Sequence, residues 1–308
     1  MRLDAVTGQL IRQYTVPGAT EENPGRWGYI AYDQGRLYGT VADPEHIVTY
    51  RFRNTSGDLS KLLTESKSLF ALNPETGEIA WHYTAEHSIR HNAITIGSDR
   101  VYLIDRPQAE FDRRRGEDGE QAPGQLLCLD AASGEVKWKG GEEDGFGTML
   151  AYSERHDVLL VSHQPTRFRL SSEKGRQLAA FRGESGERLW HVEANYESRP
   201  MINDTTVYAQ GGAWDLSTGE DRPFNFNRSY GCGILACSRD MLLFRSATLG
   251  YFDLNEQDGI QNFGGVRPGC WINFLPAGGL VLVPDASSGC RCSYLNKSWF
   301  ALEPLPPE

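Results

Sequence analysis

Short apolar runs recur along the chain, each closed by a polar turn and each answered by a second short run. The clearest is Leu69-Phe70-Ala71-Leu72, then Asn73-Pro74-Glu75-Thr76-Gly77-Glu78, then a return through Ile79-Ala80-Trp81. Cys128-Leu129-Asp130 to Gly134-Glu135-Val136-Lys137-Trp138 repeats the phrase, and a third copy ends Ser185-Gly186-Glu187-Arg188-Leu189-Trp190 with Arg182 in the acidic place. Weaker copies run from Leu3 to Gln9 and from Ala213 to Glu220, and a degenerate one joins Tyr251–Leu254 to Asp258-Gly259. In the consensus A-x-[DN]-x-x-x-G-[EQ]-x-x-W, the apolar run suits a strand buried between two sheets. Asn or Asp opens the turn by bonding its own backbone, and Gly supplies positive φ. A Trp at one fixed place per repeat reads as a packing device between neighbouring units.

A second hairpin signal precedes each phrase. Ile94-Thr95-Ile96-Gly97-Ser98-Asp99-Arg100-Val101-Tyr102-Leu103 is strand, tight turn and strand, and Ile30 to Tyr38 and Met201 to Tyr208 repeat it. Two hairpins per repeat make a four-stranded antiparallel meander, and such meanders in series predict an all-β propeller of six to eight blades. The reading is a single domain over 1–308: a half blade at 1–14, blades at about 26–81, 90–138, 147–190, 199–223 and 230–263, and a partial last blade at 267–304. Phe300-Ala301-Leu302 mimics Phe70-Ala71-Leu72 and then breaks off, so the chain is expected to be a fragment of a longer protein with an eight-bladed ring, the alternative being a six- or seven-bladed ring closed by pairing the two ends. The polar stretches Asp43–Lys67 and Glu110–Gly124 read as solvated loops. The histidines His82, His87 and His91, with Glu86, fall on the predicted connection between two blades, where a metal site is not expected.

The repeated phrase resembles the PQQ-repeat propellers: the quinoprotein alcohol dehydrogenases and the non-enzymatic relatives of the outer-membrane assembly lipoprotein type. Tyr230-Gly231-Cys232-Gly233, Arg267-Pro268-Gly269-Cys270 and Cys290-Arg291-Cys292-Ser293-Tyr294 are further similar to propellers of planctomycete-type bacteria. For the dehydrogenases the resemblance implies PQQ stacked on a Trp floor beneath a ring of two adjacent cysteines, with Ca²⁺ held by oxygen ligands and an Asp as base. This chain separates Cys290 from Cys292 by Arg291 and shows no evident Ca²⁺ cage. Trp271 is its one candidate floor. No cofactor is therefore expected, PQQ with calcium being the alternative.

Composition narrows the partners. At 308 residues and 39% hydrophobic the chain can bury ample core. A net charge of −10 argues against nucleic acid or an anionic membrane, and no apolar run is long enough to span a bilayer. Cys128 replaces the motif Ala and reads as a buried free thiol. Two disulfides among Cys232, Cys270, Cys290 and Cys292 are expected, in any of the three pairings, which places the protein in the periplasm or another extracytoplasmic compartment although this chain carries no signal peptide.

Arginine recurs where inner strands begin. Arg26, Arg90, Arg199, Arg228 and Arg267 fall at similar places in five repeats, and guanidinium groups gathered at a channel mouth would attract an anion by charge and bidentate bonding. Arg90-His91-Asn92 forms a polar trio there, and His91 is the choice for a general base if the protein has one. No nucleophile triad order, phosphate-cradling loop or haem attachment sequence is present. The expected function is a non-catalytic binding or scaffold module for a protein partner or small anionic ligand. A PQQ-dependent oxidoreductase and a hydrolase or lyase acting on polyanionic sugar are the alternatives.

Overall fold

The computed structural model describes residues 1–42, 65–107, 124–163, 165, 174–226, 228, 233–269, 273–285 and 298–303. Two compact units divide the chain: Met1–Gly175 with Phe181–Arg188, and Arg176–Ala180 with Leu189–Glu308.

The first unit opens with a hairpin of β1 (Arg2–Leu3) and β2 (Leu10–Arg12). One antiparallel sheet follows in sequence order: β3 (Trp27–Asp33), β4 (Arg36–Ala42), β5 (Glu65–Leu72), β6 (Ile79–Gly97), β7 (Arg100–Arg106), β8 (Gln125–Asp130) and β9 (Val136–Lys139). It is two four-stranded meanders that share β6. The first half of β6 pairs with β5, from Leu72↔Ile79 to Glu65↔Arg90, and its second half pairs with β7, from Ser88↔Arg106 to Gly97↔Arg100. After a 3-10 turn at Asp144–Phe146, β10 (Met149–Ser153) and β11 (Val158–Ser162) form another hairpin.

β6 corrects the sequence reading. His82, Glu86 and His87 lie within a continuous strand and not on a loop between blades. Where the strand changes partner its ladder is interrupted, and the buried Asp105 carboxylate accepts the amides of Glu86 (2.6 Å), His87 (2.9 Å) and Ser88 (3.1 Å) instead. The orphaned donors are thus satisfied without a turn. Glu65, Ser66 and Lys67, read as the end of a polar insertion, likewise belong to β5.

β12 (Gln177–Arg182) and β13 (Arg188–Glu193) carry the third phrase, and the division between the units runs through them. The second unit holds two four-stranded antiparallel sheets, β14 (Met201–Asn203) to β17 (Asp221–Arg222) through β15 (Thr206–Ala209) and β16 (Gly212–Asp215), and β18 (Ala236–Cys237) to β21 (Ile260–Phe263) through β19 (Met241–Ser246) and β20 (Thr248–Asp253). A three-stranded sheet of β22 (Leu275–Ala277), β23 (Leu280–Val283) and β24 (Phe300–Leu302) follows. These serial antiparallel meanders are the blades of an all-β propeller.

The phrase explains itself in three dimensions. Asp130 Oδ1 accepts the amides of Ala132 and Ser133, both at 2.9 Å, while Gly134 at φ +75° donates back to the Asp130 carbonyl. Asn73 and Asp215 do the same. In the third copy Arg182 cannot, and Asp157 from the β10–β11 turn supplies the carboxylate, accepting the Glu184 amide at 3.1 Å. Each Trp then docks on the next turn. Trp81 Nε1 donates to the Ala131 carbonyl, Trp138 to Gly183 and Trp190 to Leu216, all at 2.9 Å. Their rings lie so close under Gly134, Gly186 and Gly219 that a Cβ there would sit 2.7 Å away. Tyr38, Leu69, Ile94, Val101 and Leu127 pack with Trp81 in the core of the first two blades.

Candidate functional site

The polar trio sits where several strand ends meet in the first unit. Register places Ala42 opposite Ser66, and Glu65 opposite Arg90, so the end of β4, the start of β5 and the middle of β6 share one end of the sheet. Gly28, at the start of β3, faces the same place: a side chain there would collide with the His91 ring and with Thr40 Oγ1.

Arg90 is 5% exposed and Glu65 fully buried, and Arg90 Nε donates to Glu65 Oε1 at 3.0 Å. This buried, hydrogen-bonded ion pair is a fixed part of the floor. His91 Nε2 lies 2.8 Å from Ser66 Oγ, which is also 2.8 Å from Thr40 Oγ1; that hydroxyl accepts the Tyr29 amide at 2.7 Å. Burial lowers the His91 pKa to about 4, against a smaller opposing effect from a hydrogen bond to the Glu65 backbone. The imidazole is therefore neutral at pH 7. The Ser66–His91 contact has dyad geometry, but the serine hydroxyl is wholly buried, and among the described residues the adjacent carboxylate, Glu65, is engaged with Arg90.

Sequence reasoning had Arg90, His91 and Asn92 and missed Glu65, Ser66 and Thr40. Glu65 and Ser66 follow a long polar stretch and Thr40 lies on β4, so no local pattern linked them to the trio. Asn92 is exposed beside the cluster. Of the other arginines, Arg26 lies in the same unit and is exposed, while Arg199, Arg228 and Arg267 belong to the second unit, where they are exposed, half-buried and buried. Arg228 is held by Gln210 Oε1 at 2.9 Å and the Gly233 carbonyl at 3.1 Å.

The motif tryptophans are docked on turns, and no group of three or more His, Cys, Asp or Glu among the described residues could hold a metal ion. Trp271, Cys232, Cys270, Cys290 and Cys292 lie outside the described residues. Cys128 and Cys237 are free thiols, whose pKa values burial pushes up to about 12 and about 11 and so away from reactivity. No helix among the described residues is long and apolar enough to cross a membrane.

A family model described as outer membrane protein assembly factor BamB matches residues 66–222. No curated protein matches significantly. Among solved structures, the computationally designed Ika8 protein is similar at 9% identity and TM-score 0.52, over 84% of this chain and 68% of that one. BamB from Moraxella catarrhalis is similar at 18% identity and TM-score 0.42, over 73% of this chain and 66% of that one. The quinohemoprotein alcohol dehydrogenase ADHIIG from Pseudomonas putida HK5 is similar at 14% identity and TM-score 0.39, over 83% of this chain but only 42% of the enzyme. The chain thus spans just under two thirds of that BamB and under half of the dehydrogenase.

Proposed function

Because the chain belongs to the BamB family of PQQ-repeat propellers, we propose that it is an extracytoplasmic binding and scaffold module that holds a protein partner. One observation carries this reading. In the first unit both long connections, β4 to β5 and β7 to β8, leave from the strand end that carries Glu65–Arg90 and Asp105–Arg106. The opposite ends are closed by tight turns such as Asn73–Glu78 and Asp130–Glu135. Long polar connections that leave from one end of an internally bonded floor are where a scaffold carries recognition segments. The floor itself supports binding over chemistry, since the Ser66 hydroxyl beside His91 is wholly buried and Arg90 is engaged with Glu65. An extracytoplasmic setting goes with disulfide pairing among Cys232, Cys270, Cys290 and Cys292, which non-reducing peptide mapping would read directly.

Photo-crosslinking tests the face. A benzophenone side chain at Tyr50 or Phe111, within the two connections, should capture a discrete protein partner in cells, whereas the same group at Glu75, on a turn at the other end, should not. Equal capture from Glu75, or no capture together with PQQ-dependent alcohol oxidation, would overturn the proposal.

A further inference from the structure

The second unit holds a cleft of about 300 Å³ that none of the functional readings uses. Its walls are the segment 195–198 before β14, the β15–β16 turn and the segment 223–226 after β17. Asn195, Glu197, Gln210, Gly211, Phe224, Asn225 and Phe226 line it. The Glu197 amide donates to the Gln210 carbonyl at 2.9 Å and the Gln210 amide to Ser198 Oγ at 2.7 Å, which fastens the first wall to the turn. Gly211 at φ +106° lets them close, since a Cβ there would lie 3.0 Å from the Asn195 carbonyl oxygen.

The polar groups of the cleft are held in place. Gln210 is 8% exposed; its Nε2 donates to Glu197 Oε2 at 2.8 Å and its Oε1 accepts from Arg228 Nε at 2.9 Å. A surface glutamate ordinarily rotates freely, but this carboxylate is tethered through a buried amide to a buried part of the blade. Fixing it in advance removes an entropic cost from whatever binds. Phe224 is half-buried and backed by Tyr208 at 5.0 Å, Phe252 at 5.3 Å and Phe226 at 5.8 Å, so its ring is held rigidly too.

We propose that this cleft binds a neutral pyranose sugar. Side-chain amides offer a donor and an acceptor in one plane, and the carboxylate accepts, which matches neighbouring hydroxyls that both donate and accept. The negative face of an aromatic ring attracts the polarised C–H face of a sugar. The lining residues include no Lys or Arg, and the adjacent Arg228 is engaged with Gln210 Oε1 and the Gly233 carbonyl, so a phosphate, sulfate or uronate would meet the Glu197 carboxylate. The volume lies at the lower bound of small-molecule sites, which fits a short saccharide. This site is independent of the partner face in the first unit.

Calorimetric titration of the full chain with maltotriose, cellotriose and triacetylchitotriose tests it, with glucuronate and spermidine as charged probes. At least one neutral trisaccharide should bind saturably. Phe224→Ala should weaken it about tenfold or more, and Asn225→Ala, at an exposed position that does not threaten folding, several-fold. Glu197→Gln should also weaken it while leaving the Tm unchanged. Absence of saturable binding by all three sugars, full affinity in folded Asn225→Ala, or glucuronate or spermidine binding as tightly as the sugars would each overturn the assignment.

Discussion

Trp81 and Phe226 both bury an aromatic ring in a blade core, yet they do so by different physics. The Trp81 ring fits only under a glycine of positive φ, and its N–H reaches one particular carbonyl on the following turn. Trp138 and Trp190 repeat that geometry. Beyond the fourth phrase the arrangement ends: Pro223 stands where Trp would, and a Cβ on Gly259 would have nothing within 4 Å. There Phe224, Phe226, Phe244 and Phe252 interlock by edge and face contacts with no hydrogen bond. A directional latch demands two residues at fixed spacing and so writes itself into the sequence. Apolar interlocking demands only volume and leaves no such mark. The family match, residues 66–222, covers the stretch that holds the three tryptophan latches.

Substitution at the two rings gives the largest expected effects. Trp81→Ala should cost about 3–5 kcal/mol in denaturant unfolding, as large-to-small changes in a core do. Phe226→Ala should cost a similar amount, but Phe226→Leu less than about 1.5 kcal/mol because the cluster can repack. Trp81→Leu should stay costly, since no repacking restores the bond to Ala131. Equal tolerance of leucine at both sites would erase the distinction.

The glycines sharpen it. Gly134→Ala must strain an αL backbone and meet the Trp81 ring, for about 2–3 kcal/mol, whereas Gly259→Ala bears the backbone strain alone, about 1 kcal/mol. Melting of the two variants side by side would show whether the ring contact is what holds glycine in the motif.

His91 gives a smaller, pH-dependent effect. Its folded pKa of about 4 lies below the ordinary value of 6.5, so unfolded chains take up the proton first as pH falls. The stability tied to neutral His91 is complete above pH 6.5 and is lost on the way down to about pH 4, by about 1–2 kcal/mol for a half-buried ring. A pH series of Tm for the parent and for His91→Asn should therefore converge towards pH 4. Parallel curves would contradict the assignment. Smallest of all, Arg182→Asp should change stability by less than about 0.5 kcal/mol, although it restores the motif, because Asp157 already accepts the Glu184 amide and the change gives up the bond from Arg182 to the His156 carbonyl.

These cases also show what could be read from the chain. The Asx turns at Asn73 and Asp130, the glycines and the tryptophans are local devices, and their spacing announced the blades. The continuous β6 was not legible, because its support comes from Asp105, 17 to 19 residues away from the amides it holds. Of the candidate site, Arg90 and His91 stood out by type, but Glu65, Ser66 and Thr40 reach them only through strand register. The cleft beside Phe224 gave no signal, since Asn195, Gln210 and Asn225 look like ordinary turn and edge residues until the fold brings them together.

The most direct test of a binding module over a quinoprotein is a thermal titration of the intact chain with pyrroloquinoline quinone and Ca²⁺, separately and together. The account predicts that the Tm stays where it is in all three. A rise that requires both components would contradict it and place a cofactor site in the propeller.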